Sequence, residues 1–136
     1  MNDHFYIFPV GAIKKQGKTV TIEIYEKYKN ALSGLNKFSH IIVCYWFHKN
    51  DTPEKRNVLQ VYPRNKKNNP LTGVFATHSP RRPNLIAISI CKILSLNGKT
   101  INIDNIDAFD GTPVIDIKGF IPNHFPKSDI RVPDWI

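Results

Sequence analysis

The chain has 136 residues, 41% of them hydrophobic, and a formal net charge of +8 at pH 7. That length suits one domain with a real core, and no apolar run approaches the roughly 20 residues that cross a bilayer, so no membrane-spanning helix is expected. Asn2, Asp3 and His4 do not make a signal peptide, and Cys44 and Cys91 lie in apolar runs and are too few for a disulfide framework or a four-ligand zinc site; a reduced cytoplasm is the expected compartment.

Strand signals dominate from the start of the chain. Thr19 to Tyr25 alternates, with Val20, Ile22 and Ile24 on one face and Thr21 and Glu23 on the other. A short helix is expected from about Lys27 to Leu32, closed by Gly34. Ser39 to Phe47, Asn57 to Tyr62 and Leu71 to Thr77 are rich in β-branched and aromatic residues and predict strands. Leu85 to Leu94 places Ile86, Ile88 and Ile90 opposite Ala87, Ser89 and Cys91. Asn97-Gly98 is a hairpin turn that returns into Ile101 and Ile103. Thr112 to Lys118 alternates again, with Asp116 expected on the side of Val114. The expected architecture is mainly β, a small antiparallel barrel with one short helix. It forms a single domain over 1–136, with an irregular tail from about residue 122. Trp135 and Ile136 at the end of that tail are expected to dock on their own domain or on a neighbouring subunit.

Charge is unevenly placed along this framework. Between Lys49 and Arg82 eight basic residues face only Asp51 and Glu54, a local balance of +6. Such a concentration suits a nucleic-acid partner, though basic surface also suits anionic lipid or simple solubility. Within it, Ser79-Pro80-Arg81-Arg82-Pro83-Asn84 is a proline-stiffened turn between apolar runs. Two guanidiniums on a stiff loop match carboxylate and phosphate geometry; a solvated hairpin is the plainer reading. The loop from Pro63 to Pro70 is either a solvated excursion or a binding loop.

Asp104, Asp107, Asp110 and Asp116 invite a metal reading, but they lack the calcium-loop pattern, and Asp110-Gly111 is a turn pair; no metal is expected. Asp116 is different, because a carboxylate among Val114, Ile115 and Ile117 is costly unless paired. It is read either as an internal ion pair with an arginine or as a site carboxylate that orients a nitrogen or pairs with Lys118 or Arg82. No two of His4, His40, His48, His78 and His124 show metal-ligand spacing, and no hydrolase elbow is present. His40 either caps a helix-to-strand turn or reaches into a pocket.

Phe38-Ser39-His40-Ile41, the segment Gly73 to Ser89 and the segment Asp107 to Lys118 together resemble the TrmO (YaeB-like) family of S-adenosylmethionine-dependent tRNA methyltransferases. The likeness runs from about Tyr6 to about Pro122. It implies a small β-barrel, a homodimer with the cofactor near the interface, and tRNA as partner. It also implies methylation of the exocyclic nitrogen of threonylcarbamoyl-adenosine next to the anticodon. Carried over, the motifs assign cofactor binding to Phe75, Ala76, Thr77, His78, Ser79, Arg82, Asn84, Asp110 and Thr112. Asp116 and Arg82 are the expected catalytic residues. Substrate contacts are expected from His40, Arg64, Lys66, Lys67, Arg81 and Lys118. His78 departs from the family, which commonly has Arg there and so keeps a permanent charge. Gly119-Phe120 stands where the family commonly has Pro-Tyr. Some members carry a second domain; here the tRNA contacts are expected from the chain's own basic loops. Two other readings stay open. One is a non-catalytic RNA-binding barrel that stacks bases on Tyr45, Trp46 and Phe47. The other is a methyltransferase for a small molecule.

Overall fold

The computed structural model describes residues 3–136. Its strands are β1 (Gly11–Gln16), β2 (Thr19–Ile24), β3 (His40–Trp46), β4 (Gln60–Val61), β5 (Thr72–Gly73), β6 (Ile86–Asn97), β7 (Thr100–Ile103) and β8 (Pro113–Gly119). By contacts the chain falls into two compact units. One holds the residues through Trp46 with Ile88–Phe120, the other Phe47–Ala87 with Ile121–Ile136.

The first unit is a closed barrel in the order β1-β2-β7-β6-β3-β8. Alternation builds it. Val20, Ile22 and Ile24 of β2 are buried, as are Ile101 and Ile103 of β7 and Ile41, Val43 and Tyr45 of β3. Leu32, Ile13, Cys91, Ile106 and Val114 are buried with them. The β6–β7 turn at Asn97-Gly98 follows the expected hairpin chemistry, with Gly98 at φ 60° and Asn97 paired to Thr100. The barrel closes where β8 meets β1 through Gly11↔Val114 and Ala12↔Pro113. Burial lifts the Cys91 thiol to about 11, so it stays protonated and packs as a small apolar group.

Three expectations about this unit are refined. The expected helix is a 3₁₀ helix, Glu26–Leu32, followed by Gly34 at φ 86°. Ile86, Ile88 and Ile90 do share a face of β6, but it is the outer one, at 47%, 65% and 53% exposure, while Ala87 and Cys91 point inward. Asp116 does not lie with Val114. Cys44 pairs with Asp116 and Tyr45 with Val114, so Ile115 is an extra residue and the alternation reverses across this bulge. Val114 is therefore buried and Asp116 exposed.

In the second unit the strands expected over 57–62 and 71–77 shrink to β4 and β5, a two-stranded sheet with Gln60↔Gly73 and Val61↔Thr72. Pro63 and Pro70 bracket the intervening loop and remove ladder donors, and Val74–Ala76 turns into a 3₁₀ helix instead of extending. Val74, Thr77, Leu85 and Ala87 are buried. A single α turn, α1 (Pro53–Arg56), is capped by Thr52, whose hydroxyl accepts from the Lys55 N–H at 3.2 Å. Pro122–His124 forms a last 3₁₀ turn, with no regular element after it. At the chain end Trp135 is half-buried, whereas Ile136 is 62% exposed.

Candidate functional site

The Thr77-to-Asn84 loop folds on itself before it can meet any ligand. Thr77 is 8% exposed; its hydroxyl donates to the Val74 carbonyl at 2.9 Å and accepts from the Ser79 N–H at 3.2 Å. The Ser79 hydroxyl accepts from the Arg81 N–H, an ST-turn that fixes the next step. Arg82 then clamps the loop: its Nη1 donates to the carbonyls of Thr77 and Ser79, both at 3.1 Å. This refines the sequence reading, since at least one arm of Arg82 holds backbone. Arg81 is exposed and is the loop's outward guanidinium. Phe75 (83% exposed), Ala76, His78 and Asn84 present an aromatic plane, a methyl, an imidazole and an amide on the same segment. An open cleft nearby is lined by Asp51, Pro53, Arg56, Asn57 and Pro83, none of them an expected cofactor contact.

The basic loop stands out from the same unit. Arg64 and Asn65 both take left-handed backbone, at φ 58° and 57°, which costs on the order of 1 kcal/mol for a side chain such as arginine. The Asn69 amide donates to the Pro63 carbonyl at 2.8 Å and closes the excursion. Arg64, Lys66 and Lys67 are all exposed on it.

In the barrel unit, the 104–112 loop is held by its own carboxylates. Asp104 Oδ1 accepts from the backbone of Lys92 and Asn105, and Asp110 Oδ1 accepts from the Lys15 N–H at 2.8 Å. Partial desolvation opposes ionisation of Asp104, but these donors, with His40 adding to them, win and hold its carboxyl below the usual range. Thr112 is buried, its hydroxyl donating to the Phe109 carbonyl at 2.7 Å. Among the described residues no group of three or more His, Cys, Asp or Glu is placed to hold a metal ion.

Asp116 is paired with Lys118, Oδ2 to Nζ 2.9 Å, and not with an arginine. It also accepts from the Ile117 N–H. The hydrogen bond to Asp116 and its charge raise the Lys118 amine above its ordinary value. His40 opens β3; its Nδ1 lies 2.7 Å from the Ser39 hydroxyl and its ring tilts against Phe120 at 6.4 Å.

Sequence reasoning missed the part played by Tyr45. It is 4% exposed, so it cannot stack on a base, which corrects the reading of it as stacking surface. Its hydroxyl lies 3.0 Å from the Ser89 hydroxyl and donates to the Asp107 carbonyl at 2.9 Å, tying β3, β6 and the acidic loop together. Burial pushes this phenol up, and the Ser89 contact offsets part of that. The hydroxyl's partners lie 44 and 62 residues away and left no local signal.

A family model described as the tRNA-methyltransferase O N-terminal domain matches residues 6–124. A probable S-adenosyl-L-methionine-binding protein of Methanocaldococcus jannaschii is 46% identical over 116 residues, covering 85% of this chain and 92% of that protein. A tRNA (adenine(37)-N6)-methyltransferase of Mus musculus is 36% identical over 109 residues, but this chain covers only 25% of it. The crystal structure of TrmO from Pseudomonas aeruginosa superposes with a TM-score of 0.75 at 26% identity, over 99% of this chain and 63% of that one. A closed six-stranded barrel, the motif segments in order and a match over most of the length lead to one assignment: the chain belongs to the TrmO family.

Proposed function

We propose that this protein is an S-adenosylmethionine-dependent tRNA methyltransferase. Its acceptor is the exocyclic nitrogen of a threonylcarbamoyl-adenosine beside the anticodon. The observation that supports this most is the self-ordered Thr77–Asn84 loop, held by Arg82 inside the segment that carries the family motif. The donor set suits the cofactor chemically: the open ring of Phe75 offers a stacking plane for adenine, while Ser79 and Asn84 offer groups for ribose or amino-acid polar atoms. When bound, S-adenosylmethionine supplies an electrophilic methyl on a sulfonium and a neutral thioether as leaving group. The acceptor nitrogen would exchange its proton for that methyl, the proton passing to the Asp116 carboxylate. Asp116, held by Lys118, accepts that N–H as a hydrogen bond, which localises the nitrogen lone pair as the new bond forms. Positioning supplies most of the remaining acceleration, since transfer from a sulfonium needs little beyond alignment. Arg81, Arg64, Lys66 and Lys67 read phosphates or the threonyl carboxylate.

Two experiments test this reading. Calorimetric titration with S-adenosylmethionine is expected to show micromolar binding, followed by methyl transfer to threonylcarbamoylated tRNA and none to the unmodified transcript. No binding across the neutral range would leave a family fold without the chemistry and return the RNA-binding barrel to the front. We further propose a homodimer with a cytoplasmic address. Ile88, Ile90 and Leu94 on the outer face of β6 are 53–65% exposed, an apolar stripe that a second copy would cover. Light scattering is expected to give twice the chain mass, and a monomer at all concentrations would discard the dimer.

A further inference from the structure

The first unit carries an aromatic surface that none of these roles uses. Phe5, Tyr6, Ile7 and Phe8 follow one another outside any strand, at 90%, 91%, 55% and 58% exposure. Four consecutive large apolar residues in water are unfavourable, and contiguous patches of this kind mark contact surfaces. The segment is nonetheless anchored. Phe8 stacks on Tyr28 with centroids 6.0 Å apart and planes 13° from parallel. Two residues on, the Val10 N–H donates to the Val114 carbonyl at 2.7 Å.

Its border is cationic. Lys27 Nζ sits 5.5 Å from the centroid of the Tyr28 ring, and Lys29 is exposed on the same 3₁₀ helix. Glu26 is already neutralised by Lys99 at 3.2 Å. A second copy brought face to face would set like charges against one another.

We propose that Phe5, Tyr6 and the Phe8–Tyr28 stack form a platform for unpaired RNA bases, with Lys27 and Lys29 on the adjoining phosphates. Planar aromatics beside lysines are what single-stranded nucleic acid requires: π-faces for bases that have left the helix, and charge for the backbone. The inference deepens the tRNA reading, because a base presented for methylation leaves neighbours that need a stacking surface.

The test uses the full chain and fluorescence anisotropy at one fixed salt concentration. The probes are a labelled ten-nucleotide oligoadenylate and the duplex it forms with oligouridylate. The double variant Phe5→Ala/Tyr6→Ala should bind the single strand at least fivefold more weakly, with duplex affinity unchanged, since only unpaired bases can stack on these rings. Lys27→Gln/Lys29→Gln should weaken both probes and flatten their salt dependence. Both aromatics being exposed, the thermal midpoint should not move. Equal single-strand affinity in wild type and variant overturns the platform, as does failure of the wild type to bind oligoadenylate. So does loss of phosphatidylserine-vesicle binding, or of dimer mass, with oligoadenylate affinity intact. S-adenosylmethionine titration of the same variant should match wild type. If the wild type itself fails to bind cofactor, the methyltransferase reading falls while the oligonucleotide result stands.

Discussion

Arg82→Ala is expected to weaken S-adenosylmethionine binding and slow methyl transfer by tenfold or more. The side chain donates twice to backbone, to Thr77 and Ser79, and each charge-assisted bond of this kind is worth about 1.5–3 kcal/mol. A tenfold change needs only about 1.4 kcal/mol, so partial loosening of the loop suffices. Arg82→Lys separates two roles. A lysine ammonium can still reach a carbonyl, so the loop would be partly restored if clamping is all that Arg82 does. It cannot form a planar two-pronged contact, so a role on a cofactor carboxylate would not be rescued. Calorimetry and initial rates on the three proteins, beside thermal unfolding, read the difference. Wild-type binding and rate in Arg82→Ala would remove this residue from the scheme.

Gly11→Ala is expected to damage the barrel more than any exposed substitution. A Cβ at this position would run into the backbone carbonyl oxygen of Glu23 and sit 3.1 Å from the Ile24 Cα, both on β2. Backbone cannot step aside as a side chain does, and overpacking of this kind costs about 1–3 kcal/mol or more. The position also pairs with Val114 at the short β1–β8 seam, so a shift in β1 loosens closure. A fall in thermal midpoint of roughly 3–10 °C follows from the size of such a domain. Gly17→Ala is the control. Its Cβ would meet nothing within 4 Å, and the strain comes from φ +58° alone, about 1 kcal/mol. An equal fall in both variants would refute the steric account.

The barrel was largely legible in the sequence because its strands obey strict alternation. Val20, Ile22 and Ile24 announce β2, and Asn97-Gly98 announces the β6–β7 hairpin. What could not be read is where tertiary context overrides the local pattern. Asn57 to Tyr62 and Leu71 to Thr77 have strand composition, yet Pro63 and Pro70 leave them only two paired residues each. Ile86, Ile88 and Ile90 share a face as alternation demands, but alternation does not say which face meets the core. The small residues on the other face, Ala87 and Cys91, turned inward instead. The outward turn of Asp116 is hidden for a related reason: a bulge at Ile115 has no signature in a run of β-branched residues. The motif residues stood out in the sequence. The work each does within its own unit did not, since Arg82 bonds to carbonyls and Tyr45 reaches across the barrel wall.

The Thr77–Asn84 loop settles its hydrogen bonds internally, so its conformational freedom is surrendered during folding and not on encounter with a ligand. A partner then meets a surface with little entropy left to lose. Affinity can therefore come from few contacts, and discrimination falls to groups still free to choose, such as the exposed Phe75, His78 and Arg81. Variation among relatives at those three positions would retune the ligand without rebuilding the loop, whereas change at Thr77, Ser79 or Arg82 would alter the scaffold itself.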